Sequence, residues 1–446
     1  MEFDHSHSHS HSPSSSSSPM SQLPSDFLIS ILLHLPTPSI ISFSLTCKRH
    51  HSLALSNTLW ESVCARDWGG YFHSLKSHLL AKGLKRVEWV EVYKGVVGVE
   101  RVCCWRLSDG VEVEVGGGED GGPHPRASHS LCWVGRRLVL FGGGCEGGRH
   151  LDDTWMTCVS GDISTVSKWH KSSSGFPSGR FGHTCVVIGD CLIVFGGIND
   201  RGVRLNDTWI GHVVQKEASD PMVSWRPLTV GCDLPPPRGA HAGCCINNEK
   251  MLIYGGIGLN GHRLGDTWML DLSEDHRFGT WHEVMACPSP PARSGHTLTC
   301  IDETRAVLFG GRGLVYEVMN DVWLFDDSTG HLGWKQLLFD LKNVVGGTSI
   351  PRVGHSAVVV VGSRVLIYAG EDSDRHRKDD FWLLDVNSIE TNGNPSSSAS
   401  SMAPLKWRKI RIDGYKPNSR THAHFMQHVQ ITLGDFSTCL VGWWMD

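Results

Sequence analysis

No stretch of this sequence approaches the roughly 18 apolar residues that a helix needs to cross a bilayer. The N-terminus also lacks the apolar segment of a secretory signal, because residues 5 to 12 alternate His and Ser and, after Pro13, run into serines. No membrane partner is expected. Charge of one sign is equally scarce: 41 Lys and Arg stand against 46 Asp and Glu, for a formal charge of −5. Binding to a phosphate backbone rewards a basic stripe, so no nucleic-acid partner is expected either. Paired CxxC units are absent although there are 15 cysteines. That number is odd, and Cys132, Cys185, Cys244 and Cys300 fall inside apolar strand patterns, which fits packed, reduced thiols of an intracellular protein acting in cytoplasm, nucleus or both. The GxxxxGK, HExxH and GxSxG signatures are missing. No catalytic residue, cofactor or metal site is therefore expected; His5, His7, His9 and His11 could hold a metal only weakly, within a polar tail spanning residues 1–20.

Ordered sequence is expected to begin at Leu23-Pro24. Pro24 suits a first helical position, and Phe27, Leu28, Ile31, Leu32 and Leu35 recur at helical spacing until Pro36. Thr37-Pro38 can start a second helix carrying Ile40, Ile41, Phe43 and Leu45, and Thr58 with Glu61 a third carrying Trp60, Val63, Cys64 and Trp68. A further helix is expected over 74–82, with Gly83 as its C-cap.

From residue 110 the period changes to short alternating strands, and glycine (50 residues) and tryptophan (17) mark turns between aromatic-rich segments. Arg126, Arg180, Arg238, Arg293 and Arg352 are each followed three residues later by His129, His183, His241, His296 and His355, at intervals of 54, 58, 55 and 59 residues. Glycine pairs begin at Gly142, Gly196, Gly255 and Gly310, with Ala369-Gly370 in the fifth unit. Eleven residues on stands Asp153, Asp207, Asp266, Asp321 or Asp380, then Trp155, Trp209, Trp268, Trp323 or Trp382 two further. A second tryptophan, Trp169, Trp225, Trp281, Trp334 or Trp407, opens the strand before the next unit. Such a repeat predicts four strands per unit, with the sheets stacked around an axis so that the aromatics bury between them.

Two resemblances follow from these motifs. Residues 21–68, with Leu23-Pro24, Asp26, Leu28, Ile31-Leu32, Leu35-Pro36, Leu45, Cys47-Lys48-Arg49 and Leu59-Trp60, resemble an F-box. The repeat over about 110 to 410, with its arginine, glycine pair, aspartate and tryptophan in order, resembles the kelch repeat. Together they imply a small all-α F-box module (21–68), a helical linker (69–86) and an all-β kelch-type β-propeller (87–446). Six blades are inferred, because Trp105-Arg106 repeats the Trp-Arg of later units and Arg420 with His422 or His424 starts a sixth. That blade would be closed by C-terminal strands near 425–431 and 439–443 with N-terminal strands near 87–93 and 102–107; a five-bladed ring with ragged ends is the alternative.

The resemblance implies a substrate-recognition subunit of a Skp–cullin–F-box ubiquitin ligase, without catalysis of its own. The adaptor, and through it a cullin, would meet Leu23, Pro24, Leu28, Ile31, Leu32, Leu35 and Pro36, while Leu45, Cys47 and Trp60 hold the module together. An unidentified protein substrate would meet the propeller. Arg126, Arg180, Arg238, Arg293 and Arg352 are candidate contacts, since in some kelch propellers arginines at this position reach toward the axis; the other reading is packing or hydrogen bonding to turns. The loops Gly144–Arg149, Asn199–Arg204, Gly258–Arg263, Gly313–Glu317 and Glu371–Lys378 differ in sequence on a constant frame, as a binding face should. A copper radical oxidase on such a propeller would need converging tyrosines, and six Tyr without a secretory signal do not support one. The competing function is a non-ligase kelch scaffold.

Overall fold

The computed structural model describes residues 23–68, 72–73, 76, 87–97, 101–104, 108–109, 122–159, 165–166, 168–172, 177–214, 221–328, 332–339, 350–360, 363–386, 405–414, 426–429 and 440–442. The tail 1–20, most of the helix expected over 74–82, Trp105, the Ser-rich stretch 392–401 and Arg420 lie outside them. The chain divides into two compact units, Met1–Gly98 and Val99–Asp446.

The first unit is helical: α1 Ser25–Leu33, α2 Thr37–Ser44, α3 Lys48–Ala54, α4 Asn57–Trp68 and α5 Trp89–Val97. Pro24 and Pro36, both with extended ψ, sit just before α1 and α2 and stop the preceding backbone from continuing as helix. The Cys47 sulfur caps α3 by accepting from the His50 N–H, and the Ser56 hydroxyl, rather than Thr58, caps α4 through the Leu59 N–H. Arg66 of α4 donates to the Leu33 and Leu35 carbonyls, which satisfies the open C-terminus of α1. Leu28, Leu32, Ile40, Leu59, Trp60, Val63 and Cys64 form the core, with the Trp60 indole donating to the Ala54 carbonyl. His50 is buried and stacks on Phe43 at 4.1 Å, taking the place of the aromatic that F-boxes often carry after the Lys-Arg pair.

α5 departs from the expected strand near 87–93. The Val-Glu-Trp-Val-Glu-Val-Tyr pattern alternates like a strand, but Trp89 and Tyr93, one helical turn apart, pack on Phe72, Trp60 and Trp68. Asn57 fixes the start of α5 by accepting from Trp89 N–H and donating to the Val87 carbonyl. The propeller unit thus begins at residue 99 rather than 87.

The second unit contains, among the described residues, five blades, each with four antiparallel strands; the third and fifth carry an additional parallel outer strand, Thr229–Val230 and Arg101–Cys104. The innermost strands of the five blades are Ser130–Val134, Thr184–Ile188, Ala242–Ile246, Thr297–Cys300 and Ser356–Val360. A two-stranded ladder, Met426–Val429 with Leu440–Gly442, lies between the innermost strands of the fifth and first blades and closes the ring. Arg101–Cys104, expected as a strand of the sixth blade, is not paired into this ladder; it pairs in parallel with Lys406–Gly414 on the outer edge of the fifth blade. The expected six full blades are therefore five blades and a hairpin in the described structure.

Blade stacking follows one rule at four successive interfaces. Phe141, Phe195, Tyr254 and Phe309, each just before the glycine pair in the second strand of its blade, lie between the histidine and the outer tryptophan of the next: His183 and Trp225, His241 and Trp281, His296 and Trp334, His355 and Trp407. The apolar cores accordingly lie between blades rather than within them. Around the axis runs a belt of backbone hydrogen bonds: Gly354 donates to Gly295, Gly295 to Ala240, Ala240 to Gly182 and Gly182 to Ser128. Every member has a φ between 52° and 67°. Glycine takes that conformation freely, whereas Ser128 and Ala240 hold it at some cost in strain.

Candidate functional site

The Arg-x-x-His motif resolves into a frame. Arg180 donates from Nη1 and Nη2 to the two carboxylate oxygens of Asp207, at 2.7 and 2.9 Å, from Nη1 also to the Gly196 carbonyl, and from Nε to the Ser178 carbonyl. Arg126 binds Asp153, Arg238 binds Asp266 and Arg293 binds Asp321 in the same two-pronged way. Arg352 reaches both oxygens of Asp380 through Nη2. Each aspartate also accepts from the indole N–H of the tryptophan two residues on. Burial alone would push the carboxyls of Asp153, Asp207, Asp266 and Asp321 up. The guanidinium bonds and charge overcome it, with help from the indole, and hold all four below the usual carboxylate range.

This geometry withdraws the five arginines from a substrate-facing surface. Their exposure is 6% for Arg126, 1% for Arg352 and 0% for the other three, and their terminal guanidinium nitrogens bond within their own blades. They pin each glycine pair to the strand that follows it, which is the turn-bonding reading of the motif rather than the ligand-binding one.

The histidines are equally internal. His183 Nε2 meets the Ser130 hydroxyl at 3.0 Å and His355 Nε2 the Thr297 hydroxyl at 2.9 Å, each one blade back. Burial, then the charge of Arg180 or Arg352, pushes these two imidazoles down to about 3. Burial and the neighbouring Arg238 or Arg293 move His241 and His296 the same way. Such groups are neutral staples, without the near-neutral titration of a general base.

Exposed apolar side chains mark two other surfaces. On the helical unit, Phe27 and Ile31 lie one turn apart on α1, while Ile41 and Leu45 are one turn apart on α2 and just past its end; all four are exposed, Leu45 at 79%. Among the expected adaptor contacts, Pro24, Ile31 and Pro36 are exposed, Leu23 and Leu35 half-buried, and Leu28 and Leu32 only 1% exposed. Leu28 and Leu32 therefore build the module, and Leu45, expected inside it, belongs to its surface. The sequence reading missed Phe27 and Ile41 as surface residues because short helices with apolar residues all round do not declare which side packs.

On the propeller, each variable loop joins the second and third strands of its blade, so all five leave from the same end of the ring. They are anchored rather than loose: Ile198 bridges both Phe181 and Arg204, and Arg312 both Ser294 and Val318. Side chains link neighbouring loops as well. Asp200 accepts from His150 N–H, the Arg263 guanidinium lies 4.4 Å from the Tyr316 ring centre, and Arg312 pairs with Glu371 at 2.7 Å. From this collar project Val203, Leu259, Leu314, Val315 and Tyr316, the last three 62%, 82% and 69% exposed. Tyr316 sits at φ 68°, and its loop is closed by Gly313 N–H to Glu317 O and Tyr316 N–H to Gly313 O. An apolar tip held in strained backbone is a preorganised contact. Three consecutive apolar residues directly after a glycine was the sequence signal for it.

Two family models match the same two units: F-box-like over residues 20–66, and the KLHDC2/KLHL20/DRC7 Kelch-repeats domain over 112–224 and 221–343. The F-box/kelch-repeat protein At1g51550 of Arabidopsis thaliana is 52% identical over 91% of this chain and 84% of its own length. The chain belongs to the F-box/kelch-repeat family. Adagio-like protein 1 of Oryza sativa subsp. japonica is 30% identical over 90% of this chain and 59% of its own, and Adagio protein 3 of Arabidopsis thaliana 29% identical over 94% and 60%. The chain thus spans about three-fifths of those two relatives. F-box/kelch proteins are generally non-catalytic adaptors, in which the F-box binds Skp1-type proteins and the propeller binds protein targets. In this F-box/kelch protein the exposed ridges of α1 and α2 and the loop collar are, among the described residues, apolar surfaces that lie apart from the buried arginine frame.

Proposed function

We propose that this protein is the substrate-recognition subunit of a Skp–cullin–F-box ubiquitin ligase, acting in cytoplasm, nucleus or both. The observation that carries this reading is the split within each short helix: Leu28, Leu32 and Ile40 are buried while Phe27, Ile31 and Ile41, one position away, stand exposed. Apolar ridges on a monomer mark a protein-binding surface when they cluster rather than scatter. The adaptor would cover them together with Pro24 and Pro36. The propeller would present a target through Leu259, Leu314, Val315 and Tyr316, with a separate conjugating enzyme forming the isopeptide bond by proximity. The ring would function as a six-bladed propeller whose sixth blade is built around the C-terminal hairpin.

The test is reconstitution with a Skp-type adaptor, a cullin and a target found by proximity labelling. Ubiquitin transfer should fail with Leu314→Ser plus Tyr316→Ser while adaptor binding persists. Transfer unaffected by these changes would remove the collar from the account, and a chain that recruits no cullin through the adaptor would favour a non-ligase scaffold.

A further inference from the structure

The loop collar is not of one chemistry around its ring. The loops of blades three and four carry the apolar tips Leu259, Leu314, Val315 and Tyr316, whereas the loops on either side of them, from blades two and five, present exposed arginines. On blade two, Asn199 Oδ1 accepts from the N–H groups of Arg201 and Val203 and so fixes the turn that presents Arg201. On blade five, one carboxylate oxygen of Asp372 accepts from the N–H groups of Asp374 and His376, and the other pairs with Lys378. That turn leaves Arg375, at φ 61°, and Arg377 exposed, and blade one adds an exposed Arg149. The guanidiniums of Arg149, Arg201 and Arg375 have no partner among the described residues. Most acids of the same loops are already engaged: Asp200 on the His150 N–H, Glu317 on the Val315 N–H, Glu371 on Arg312 and Asp372 in its own turn. Glu146 and Asp374 are the exposed loop acids outside such bonds. Exposed positive charge therefore predominates beside the apolar arc, in a chain whose formal charge is −5.

We propose that the collar takes an acidic segment of the target with an apolar anchor. An aliphatic or aromatic side chain would seat on the arc of Leu259, Leu314, Val315 and Tyr316, and Asp or Glu residues on both sides of it would meet Arg201 and Arg375. The inference rests on the reading of the collar as the target-binding surface and adds the chemistry of what binds there. Burial of the anchor supplies the affinity, because a rim charge exposed to water contributes little of it. The arginines supply selection: a guanidinium fork suits a carboxylate, and complementary charge speeds encounter while a basic segment meets repulsion. A nucleic-acid strand fits less well, since the apolar arc interrupts the arginines and the net negative charge of the chain opposes a long polyanion. The division of the collar escaped sequence reading because each loop by itself mixes both signs of charge, and only the bonds made by Asp200, Glu371 and Asp372 show which charges are left to face outward.

A random displayed-peptide library, selected on the immobilised full-length chain and read by sequencing, is the probe. The parent should enrich peptides with Asp or Glu on both sides of an aliphatic or aromatic residue. One such peptide, synthesised with a fluorophore, should bind about tenfold more weakly to Arg201→Glu plus Arg375→Glu, and several-fold more weakly when salt is raised from about 50 to about 300 mM. Leu314→Ser plus Tyr316→Ser should abolish its binding. Enriched peptides that lack acids, or acidic peptides that bind the arginine double variant as well as the parent, overturn the proposal; if those peptides are still lost in Leu314→Ser plus Tyr316→Ser, the collar stands as the target surface and its partner has another chemistry. Binding indifferent to both double variants overturns the collar reading as well, and a parent that enriches no peptide overturns the proposal. Should the charge reversal fail to fold, Arg201→Gln plus Arg375→Gln decides: binding equal to the parent overturns it.

Discussion

Thr208→Val should destabilise the propeller, whereas the opposite change, Val322→Thr, should stabilise it. At three blade interfaces the outer tryptophan of one blade donates its indole N–H to the threonine that follows the repeat aspartate of the preceding blade: Trp225 to Thr154, Trp281 to Thr208 and Trp334 to Thr267, at 2.9 to 3.1 Å. At the next interface that position is Val322, and the buried Trp407 Nε1 has no partner among the described residues. Thr and Val have nearly the same shape, so each exchange changes hydrogen bonding with little change in packing. Thr208→Val leaves the Trp281 N–H, in a side chain 2% exposed, without an acceptor, at a cost of about 1–3 kcal/mol. Val322→Thr supplies the missing acceptor and should add about 1 kcal/mol, the net worth of a typical hydrogen bond. In a unit of this size each kcal/mol moves Tm by about 2 °C, within reach of calorimetry or urea titration. In a Trp281→Phe background the cost of Thr208→Val should largely disappear, since the pair is then already broken. Thr208→Val without effect, or a loss from Val322→Thr as large as from Thr208→Val, would refute the interface rule.

Ala242 occupies the position from which Ser130 and Thr297 bond the histidine of the next blade, and His296 Nε2 has no hydrogen-bond partner among the described residues; Ala242→Ser should stabilise by up to about 1 kcal/mol in urea titration. Acid should loosen the ring well above the carboxylate range. His183 and His355, at about 3 when folded, lie below the usual unfolded value of about 6.5, so the folded state resists a proton that the unfolded state accepts. Their contribution is complete above about pH 6.5 and is lost as pH falls toward 3, at about 2 kcal/mol for each by pH 5. Urea midpoints flat from pH 7.5 to 5 would contradict this. Arg238→Ala should strip Asp266 of its buried partner at about 3–5 kcal/mol, so its Tm should fall steeply, whereas a variant that lost target binding at unchanged Tm would return Arg238 to the binding surface.

The propeller was legible because Arg, glycine pair, Asp and Trp keep their spacing through five copies. What the spacing conceals is which groups meet: Arg180 and Asp207 stand 27 residues apart, and an arginine in a repeat looks the same whether it faces an axis or its own blade. The F-box pattern was legible too, but Phe27 against Leu28 and Ile31 against Leu32 are adjacent apolar pairs, and only packing on α3 and α4 decides which member turns inward. Residues 87–93 misled most, since β-branched and aromatic alternation there yields to the aromatic cluster of Phe72, Trp60 and Trp68, which a helix fits.

The central claim is that the exposed ridges of α1 and α2 dock a Skp-type adaptor. Isothermal titration of the purified full-length chain with such an adaptor tests it most directly, comparing the parent with Phe27→Asp plus Ile41→Asp, both at exposed positions that folding should tolerate. The account predicts saturable one-to-one binding by the parent and its loss in the double variant at unchanged Tm. Parent-like binding by the double variant, or no binding by the parent, would contradict it.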